Sequence, residues 1–350
     1  MKDSKYTRDV HVPNPLDWQL RRDLLLTEIE GHEADVVCVQ ELDAINHAGD
    51  FGDSMKHLGY KSIHQKRQRK HEHGFAVFFK NERITLVGSY AVPCLNSEIV
   101  NGIDSAGLLV VLDVTDEGKV QRVCVGTTHL VCNHTRGFKK LSQLVALTSA
   151  ANVLMKRNPG MPLSRPRLPE FSAILNRGMN AFWGSLLIEY LLKGSVDLSE
   201  DFSREPFGKP SSMTTQRHRL RVKAFKKETW ALRGLVPPKA SAYPPSPRTL
   251  AAPAPSTFAP KVEELRHMIK THRDLEDDVV AHPLHLTSVY DVPNIPDFIF
   301  HGEIMGYSRR LELVARLVLP DMLLQLKSGL PAAHLGSDHL AIGAQYRFRD

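Results

Sequence analysis

The sequence predicts an α/β fold from three observations. Short apolar runs of strand length alternate with segments whose apolar residues recur at helical spacing. Several of those runs begin or end on a carboxylate, a histidine or an asparagine, where α/β sheets gather their polar groups. A length of 350 residues, 42% of them apolar, supplies one large core or two ordinary ones.

Leu16, Leu20, Leu24 and Ile29 predict a helix over Pro15 to Glu33. Ala34 to Glu41 reads as a strand, and its near-continuous apolar character implies burial on both faces. It ends on Glu41, a carboxylate placed either as a metal ligand or as an ordinary loop glutamate. Phe51 to Leu58 forms a short helix, and Tyr60 to Ile63 and Gly74 to Phe79 form strands. Between those strands lies Lys66-Arg67-Gln68-Arg69-Lys70. Lys66 and Arg67 are either substrate-binding groups beside the mouth of a site or part of a solvated face. Strands over Gly107 to Val114 and Val120 to Thr128 follow, and the second delivers His129 and Asn133. His129 is either a donor to a phosphate oxygen or a satisfied core histidine.

An amphipathic helix runs from Arg136 to about Lys156, with Leu141, Leu144, Val145 and Leu147 on its apolar side. Phe171 to Leu175 is a strand that opens into Asn176-Arg177-Gly178-Met179-Asn180, and Ser185 to Leu192 is a helix. Asp297 stands at the start of a strand reaching Phe300, and Leu311 to Pro320 gives another. The chain closes on Gly336-Ser337-Asp338-His339 and an alternating strand that follows at once, up to Phe348. At that strand mouth Asp338 can hold a metal or orient an imidazole, and His339 can meet a phosphate oxygen. The bland alternative is a solvated turn.

The formal charge of +6 is unevenly spread. Ser203 to Leu250 holds eleven Lys/Arg against two acids, a net of +9, which leaves the remainder near −3. Eight prolines occur between 237 and 260. Residues 203–260 therefore read as a basic, Pro-rich flexible insert between two parts of one domain, 1–202 and 261–350. Such an insert either binds nucleic acid by counterion release or has no role. Lys261 to Lys270 looks helical.

Cys38, Cys94, Cys124 and Cys132 show no C-x-x-C spacing, so neither a zinc site nor a disulfide framework is suggested. A reducing, intracellular and most simply cytoplasmic setting is expected. No apolar run approaches the ~20 residues a membrane span needs, and no apolar segment follows Met1 in the manner of a signal peptide. No membrane partner is expected.

Five motifs occur together and in one order: Val37-Cys38-Val39-Gln40-Glu41, Gly74-Phe75-Ala76-Val77-Phe78-Phe79-Lys80, Thr128-His129-Leu130, Asp297-Phe298-Ile299-Phe300 and Gly336-Ser337-Asp338-His339-Leu340. The set resembles the endonuclease/exonuclease/phosphatase superfamily. Within it the chain is similar to the branch of carbon-catabolite-repressor deadenylases, angel proteins and nocturnin. The angel pattern is matched by Thr128 to Asn133 with Arg136-Gly137 and Lys140 to Gln143, and by His282 to Tyr290.

The resemblance implies a two-sheet, four-layer α/β sandwich and hydrolysis of phosphodiesters with Mg²⁺ or Mn²⁺. The implied substrate is RNA, poly(A) included, shortened from 3′ to 5′. By position, Glu41 and Asp338 match metal ligands and His129 the phosphate-contacting histidine. His339 matches the catalytic histidine, Asp297 the acid that orients it, and Asn180 the site asparagine.

Two departures stand against the pattern. The family has Gly-Asp-Phe-Asn where this chain has Arg177-Gly178-Met179-Asn180, so the acid that orients or deprotonates water is Gly178. Losing such a base typically costs on the order of 10²–10⁴-fold in rate. The family also opens with a strand that this sequence does not show ahead of Leu16-Asp17-Trp18. A slowed exoribonuclease is the expectation. An inactive RNA- or protein-binding module and a phosphatase of a small phosphorylated substrate are the competing readings.

Overall fold

The protein was analysed as a computed structural model, which describes residues 16–67, 72–93, 105–131, 137–156, 172–178, 185–197, 279–282, 284–290, 297–304, 311–318, 335–337 and 339–348. The elements are α1 (Trp18–His32), β1 (Val36–Asp43), α2 (Ala44–Ala48), α3 (Asp50–His57), β2 (Tyr60–Lys66), β3 (His73–Lys80), β4 (Ile84–Pro93), β5 (Ser105–Asp116) and β6 (Lys119–His129). They continue as α4 (Gly137–Lys156), β7 (Ser172–Gly178), α5 (Leu186–Lys193), β8 (Ser195–Asp197), β9 (Val279–Ala281), β10 (Leu284–Ser288), β11 (Asp297–Ile304), β12 (Leu311–Arg316) and β13 (Ala344–Phe348). The proposed insert, 203–260, and the helical pattern at Lys261 to Lys270 lie outside the described residues.

Two sheets dominate, one of order β1-β3-β2 and one of order β10-β11-β7-β6-β5-β4. Strand periodicity sorts their side chains into layers. Phe75, Val77 and Phe79 of β3 meet Leu108, Val110 and Leu112 of β5 and Val123 and Val125 of β6 between the sheets. Ala76 and Phe78, on the opposite face of β3, pack with Phe51, Met55, Trp18, Leu25, Leu26 and Ile29 of the helical layer outside. Leu109 and Val111, on the opposite face of β5, pack with α4 and α5. The result is helix, sheet, sheet, helix, the predicted four-layer α/β sandwich.

Several elements differ from expectation for physical reasons. β1 packs on both faces as expected, through Val36 and Cys38 toward the layer between the sheets and Val37 and Val39 toward the helical layer, though its residues are mostly half-buried. Leu16 precedes α1 and is exposed, so the helix packs instead through Trp18, Leu25, Leu26 and Ile29. α4 is not amphipathic. Lys140, Ser142, Gln143, Thr148 and Asn152 are buried along with its apolar residues. Part of this polarity is met by neighbouring segments: Thr148 Oγ1 and Tyr190 OH are 3.0 Å apart, and Gln143 Oε1 accepts from the Val131 N–H.

The 176–178 stretch is strand, since β7 pairs with neighbours on both sides up to Gly178. The last strand does not follow His339 directly. It starts at Ala344, after a segment tied down by the Leu317 N–H to Gly343 O bond and by Tyr290. α2, β4, β8, β9 and β10 were not foreseen. β4 contains Gly88 and a register shift, which interrupt its alternation.

Candidate active site

The six-stranded sheet brings three site positions to one edge. β6 and β7 are parallel, with His129 opposite Gly178, and β7 and β11 are antiparallel, with Asp297 opposite Gly178. His129, Gly178 and Asp297 thus form one rung across three adjacent strands. The C-terminal ends of two strands coincide with the start of an antiparallel third, so strand direction alone gathers groups far apart in sequence.

His339 reaches that rung from the loop ahead of β13. Its Nδ1 lies 2.5 Å from Asp297 Oδ2, and the Asp297 side chain is only 14% exposed. The pair fixes the tautomer: Nδ1–H donates to the carboxylate, and the neutral ring keeps its lone pair on Nε2. The loop is held on both sides of Asp338. Ser337 Oγ accepts from the His339 N–H at 3.1 Å, and Arg21 Nε donates to Gly336 O at 2.6 Å. Gly336 is buried against α1, where a Cβ would stand 2.5 Å from Arg21 O.

The three-stranded sheet supplies the opposite wall. Glu41 sits in β1 at a bulge, where the register with β3 slips between Gln40 and Leu42, and its φ is +58°. A non-glycine residue in this region costs about 1–3 kcal/mol and persists only where its surroundings hold it there. Glu41 Oε1 lies 3.3 Å from His129 Nδ1, and Arg67 Nη1 lies 3.4 Å from the same nitrogen. Nδ1 can accept from Arg67 or donate to Glu41, one at a time.

Burial drives the His129 pKa down to about 4, with Arg67 and His339 adding to the depression and Asp297 opposing it. His129 is therefore neutral at pH 7, and its approach to Glu41 is not an ion pair.

Glu41, His129, Asp297, His339 and Arg67 are brought together. Lys66 instead makes an exposed ion pair with Glu72 at 2.6 Å. Asn133, Asn180 and Asp338 lie outside the described residues. Sequence reading named Gln40 and Ser337 only as members of motifs and gave Arg21 no part, whereas each makes a hydrogen bond beside the cleft.

A divalent cation requires hard oxygen donors. Among the described residues no three candidate ligands cluster. Glu41 offers a carboxylate 56% exposed to the cleft, which suits a cation that keeps most of its water and takes further oxygens from a phosphate. Glu41 is the one carboxylate among the described cleft residues open enough to offer an oxygen to a Mg²⁺-type ion.

The match to known proteins follows the same lines. Residues 10–134 match the model of the Endonuclease/Exonuclease/phosphatase family. The matched stretch includes α1 and β1 to β6, and with them Glu41, Arg67 and His129. Its relatives are of the angel and Ccr4 branch. It is 27% identical to Protein angel homolog 2 of Danio rerio, over 96% of this chain and 60% of that protein. It is 25% identical to the CCR4-Not complex 3′-5′-exoribonuclease subunit Ccr4 of Schizosaccharomyces pombe, over 62% of this chain and 36% of that one.

Among solved structures, that of ANGEL2, a 2′,3′-cyclic phosphatase, in complex with adenosine-2′,3′-vanadate aligns with a TM-score of 0.65 at 22% identity. The alignment covers 97% of this chain and 89% of that one. The catalytic domain of human nocturnin aligns with a TM-score of 0.51 at 14% identity, over 95% and 88%. The chain spans 60% or less of the length of the angel homologues it matches.

Proposed function

We propose that this chain is a metal-dependent phosphodiester hydrolase acting on RNA, removing nucleotides from the 3′ end toward the 5′ end. The observation that carries the reading is the convergence of the Asp297–His339 pair, His129 and Glu41 on one cleft between two sheets. The relatives support it: the Schizosaccharomyces pombe protein is an exoribonuclease subunit and ANGEL2 is a 2′,3′-cyclic phosphatase. Each of those reactions breaks a phosphorus–oxygen bond.

In this reading Asp297 holds His339 in one tautomer and stabilises its protonated form. Once it has taken a proton at Nε2 from solvent, His339 donates that hydrogen to an oxygen of the scissile phosphate as negative charge develops there. His129, kept neutral by burial, supplies a hydrogen bond to a phosphate oxygen without adding a second full charge. Arg67 supplies the fixed positive charge of the cleft. Mg²⁺ or Mn²⁺ held by Glu41, with Asp338 in the role the resemblance gives it, would polarise the phosphoryl oxygens.

Gly178 sits between His129 and Asp297 with no carboxylate to orient the attacking water. That single position favours slow turnover, and it is the observation behind the second reading, a module that binds RNA without hydrolysing it.

The test incubates purified protein with Mg²⁺ or with EDTA on three substrates: adenylate-tailed RNA, RNA ending in a 2′,3′-cyclic phosphate, and an inositol phosphate. Slow, Mg²⁺-dependent RNA shortening is expected, reduced by on the order of 10²-fold or more in His339→Ala. Tight RNA binding with no turnover on any substrate gives the binding module instead. Turnover of the inositol phosphate alone gives a small-molecule phosphatase.

A further inference from the structure

The interface between the two main sheets is apolar at its centre, yet a polar link crosses it. Gln40 Nε2 on β1 donates to Thr127 Oγ1 on β6 at 2.8 Å, and Thr127 is fully buried. Both ends of the link adjoin the cleft. Gln40 immediately precedes Glu41, on the near side of the bulge. Thr127 lies two residues before His129 and so shares its face of β6. Beyond the bulge, His64 Nε2 donates to Leu42 O at 2.9 Å. Glu41, with its positive φ and no partner on β3, is therefore braced on both sides.

We infer that Gln40 and Thr127 are positioning residues that set the reach of Glu41 across the cleft and thereby the affinity of the cleft for a divalent cation. This rests on the reading of Glu41 as a ligand. The link is poorly placed to act merely as glue. The sheets already share a layer of Phe75, Val77, Phe79, Leu108, Val110 and Val125, which holds them together without it. Valine at 127 keeps nearly the volume of threonine and removes the hydroxyl, and with it the acceptor for Gln40. The Gln40 amide, half-buried, can then turn to water. What is lost is the constraint on the residue that follows, as when an outer hydrogen bond to a metal ligand is removed.

The experiment titrates the full chain with Mn²⁺ and follows the free ion by electron paramagnetic resonance. Wild type is compared with Thr127→Val, Thr127→Ser, Gln40→Leu, the double variant Gln40→Leu/Thr127→Val, and Glu41→Gln. Glu41→Gln should abolish binding. Thr127→Val and Gln40→Leu should each weaken it roughly tenfold. The double variant should be no weaker than either single one, because both remove the same bond. Thr127→Ser, which keeps the hydroxyl, should bind as wild type, and melting temperatures should not track these affinities. If Glu41→Gln abolishes binding while Thr127→Val and Gln40→Leu bind as wild type, the link has no positioning role. If Glu41→Gln binds Mn²⁺ normally, or wild type binds none, Glu41 is not the ligand and the inference falls with that reading.

Discussion

At Gly336 a single missing methyl group lets the loop that carries His339 lie against α1. A Cβ there would stand 2.5 Å from Arg21 O, 3.1 Å from Leu25 Cγ and 3.2 Å from Leu24 Cβ. The nearest of these is backbone and cannot turn aside. Gly336→Ala should therefore push the loop off α1, lengthen the His339–Asp297 contact and lower the unfolding free energy by about 1–3 kcal/mol. Urea unfolding together with hydrolysis rates checks this. Unchanged stability and rate would mean that α1 does not hold the loop.

Residue identities at the site were legible because each lies in a strand-flanked motif. Their supports were not. The Arg21–Gly336 contact spans 315 residues and the Gln40–Thr127 bond 87. No local pattern in a sequence records such a pairing. The positive φ of Glu41 was equally hidden, since nothing in Val37 to Asp43 announces a bulge.

At the scale of elements, α5 and β10 are joined through a buried histidine. His282 Nε2 donates to Tyr190 O at 2.9 Å, and its Nδ1 accepts from the Leu284 N–H at 3.2 Å. Both nitrogens are used by the neutral ring. Burial lowers its pKa to about 4 from the ordinary 6.5, and His47 is likewise lowered to about 4 by burial, with His64 and Lys56 adding to it. The sign follows directly. Below pH 6.5 the unfolded chain takes up a proton that the folded chain refuses until about pH 4, so stability falls as pH drops through that window. His282 accounts for at most about 3 kcal/mol of the loss. His282→Gln should make the dependence of unfolding free energy on pH shallower by about one proton between pH 4 and 6.5, measured by urea unfolding across the range. An unchanged slope would mean that the folded protein protonates His282 normally.

Elements with one strong periodicity were readable, as at β3 and α5. α4 was misjudged because a helix buried around its circumference carries no polar stripe to reveal which faces are covered. At β1 the apolar run did report packing on both faces, with Val36 and Cys38 on one side and Val37 and Val39 on the other, but not how partial that cover is.

For the whole molecule, the cleft lies where two sheets present their polar ends to one another. The three-stranded sheet contributes Glu41 and Arg67, and the six-stranded sheet contributes His129 and Asp297. His339 completes the arrangement from the chain's last loop. The four-layer plan came from the resemblance rather than from periodicity, because alternation assigns a side chain to a face without saying what lies against it. The Gly178 departure was visible in sequence. Its place in the sheet, directly between His129 and Asp297, was not.

The most direct measurement is the Mg²⁺-dependent rate on adenylate-tailed RNA in wild type, Gly178→Asp and Gly178→Asp/His339→Ala. A slow wild type, a Gly178→Asp variant faster by on the order of 10²-fold or more, and loss of that gain in the double variant are the results predicted here. A wild type that is already fast, gains nothing from Gly178→Asp and keeps its rate in His339→Ala would contradict the assignment of the site.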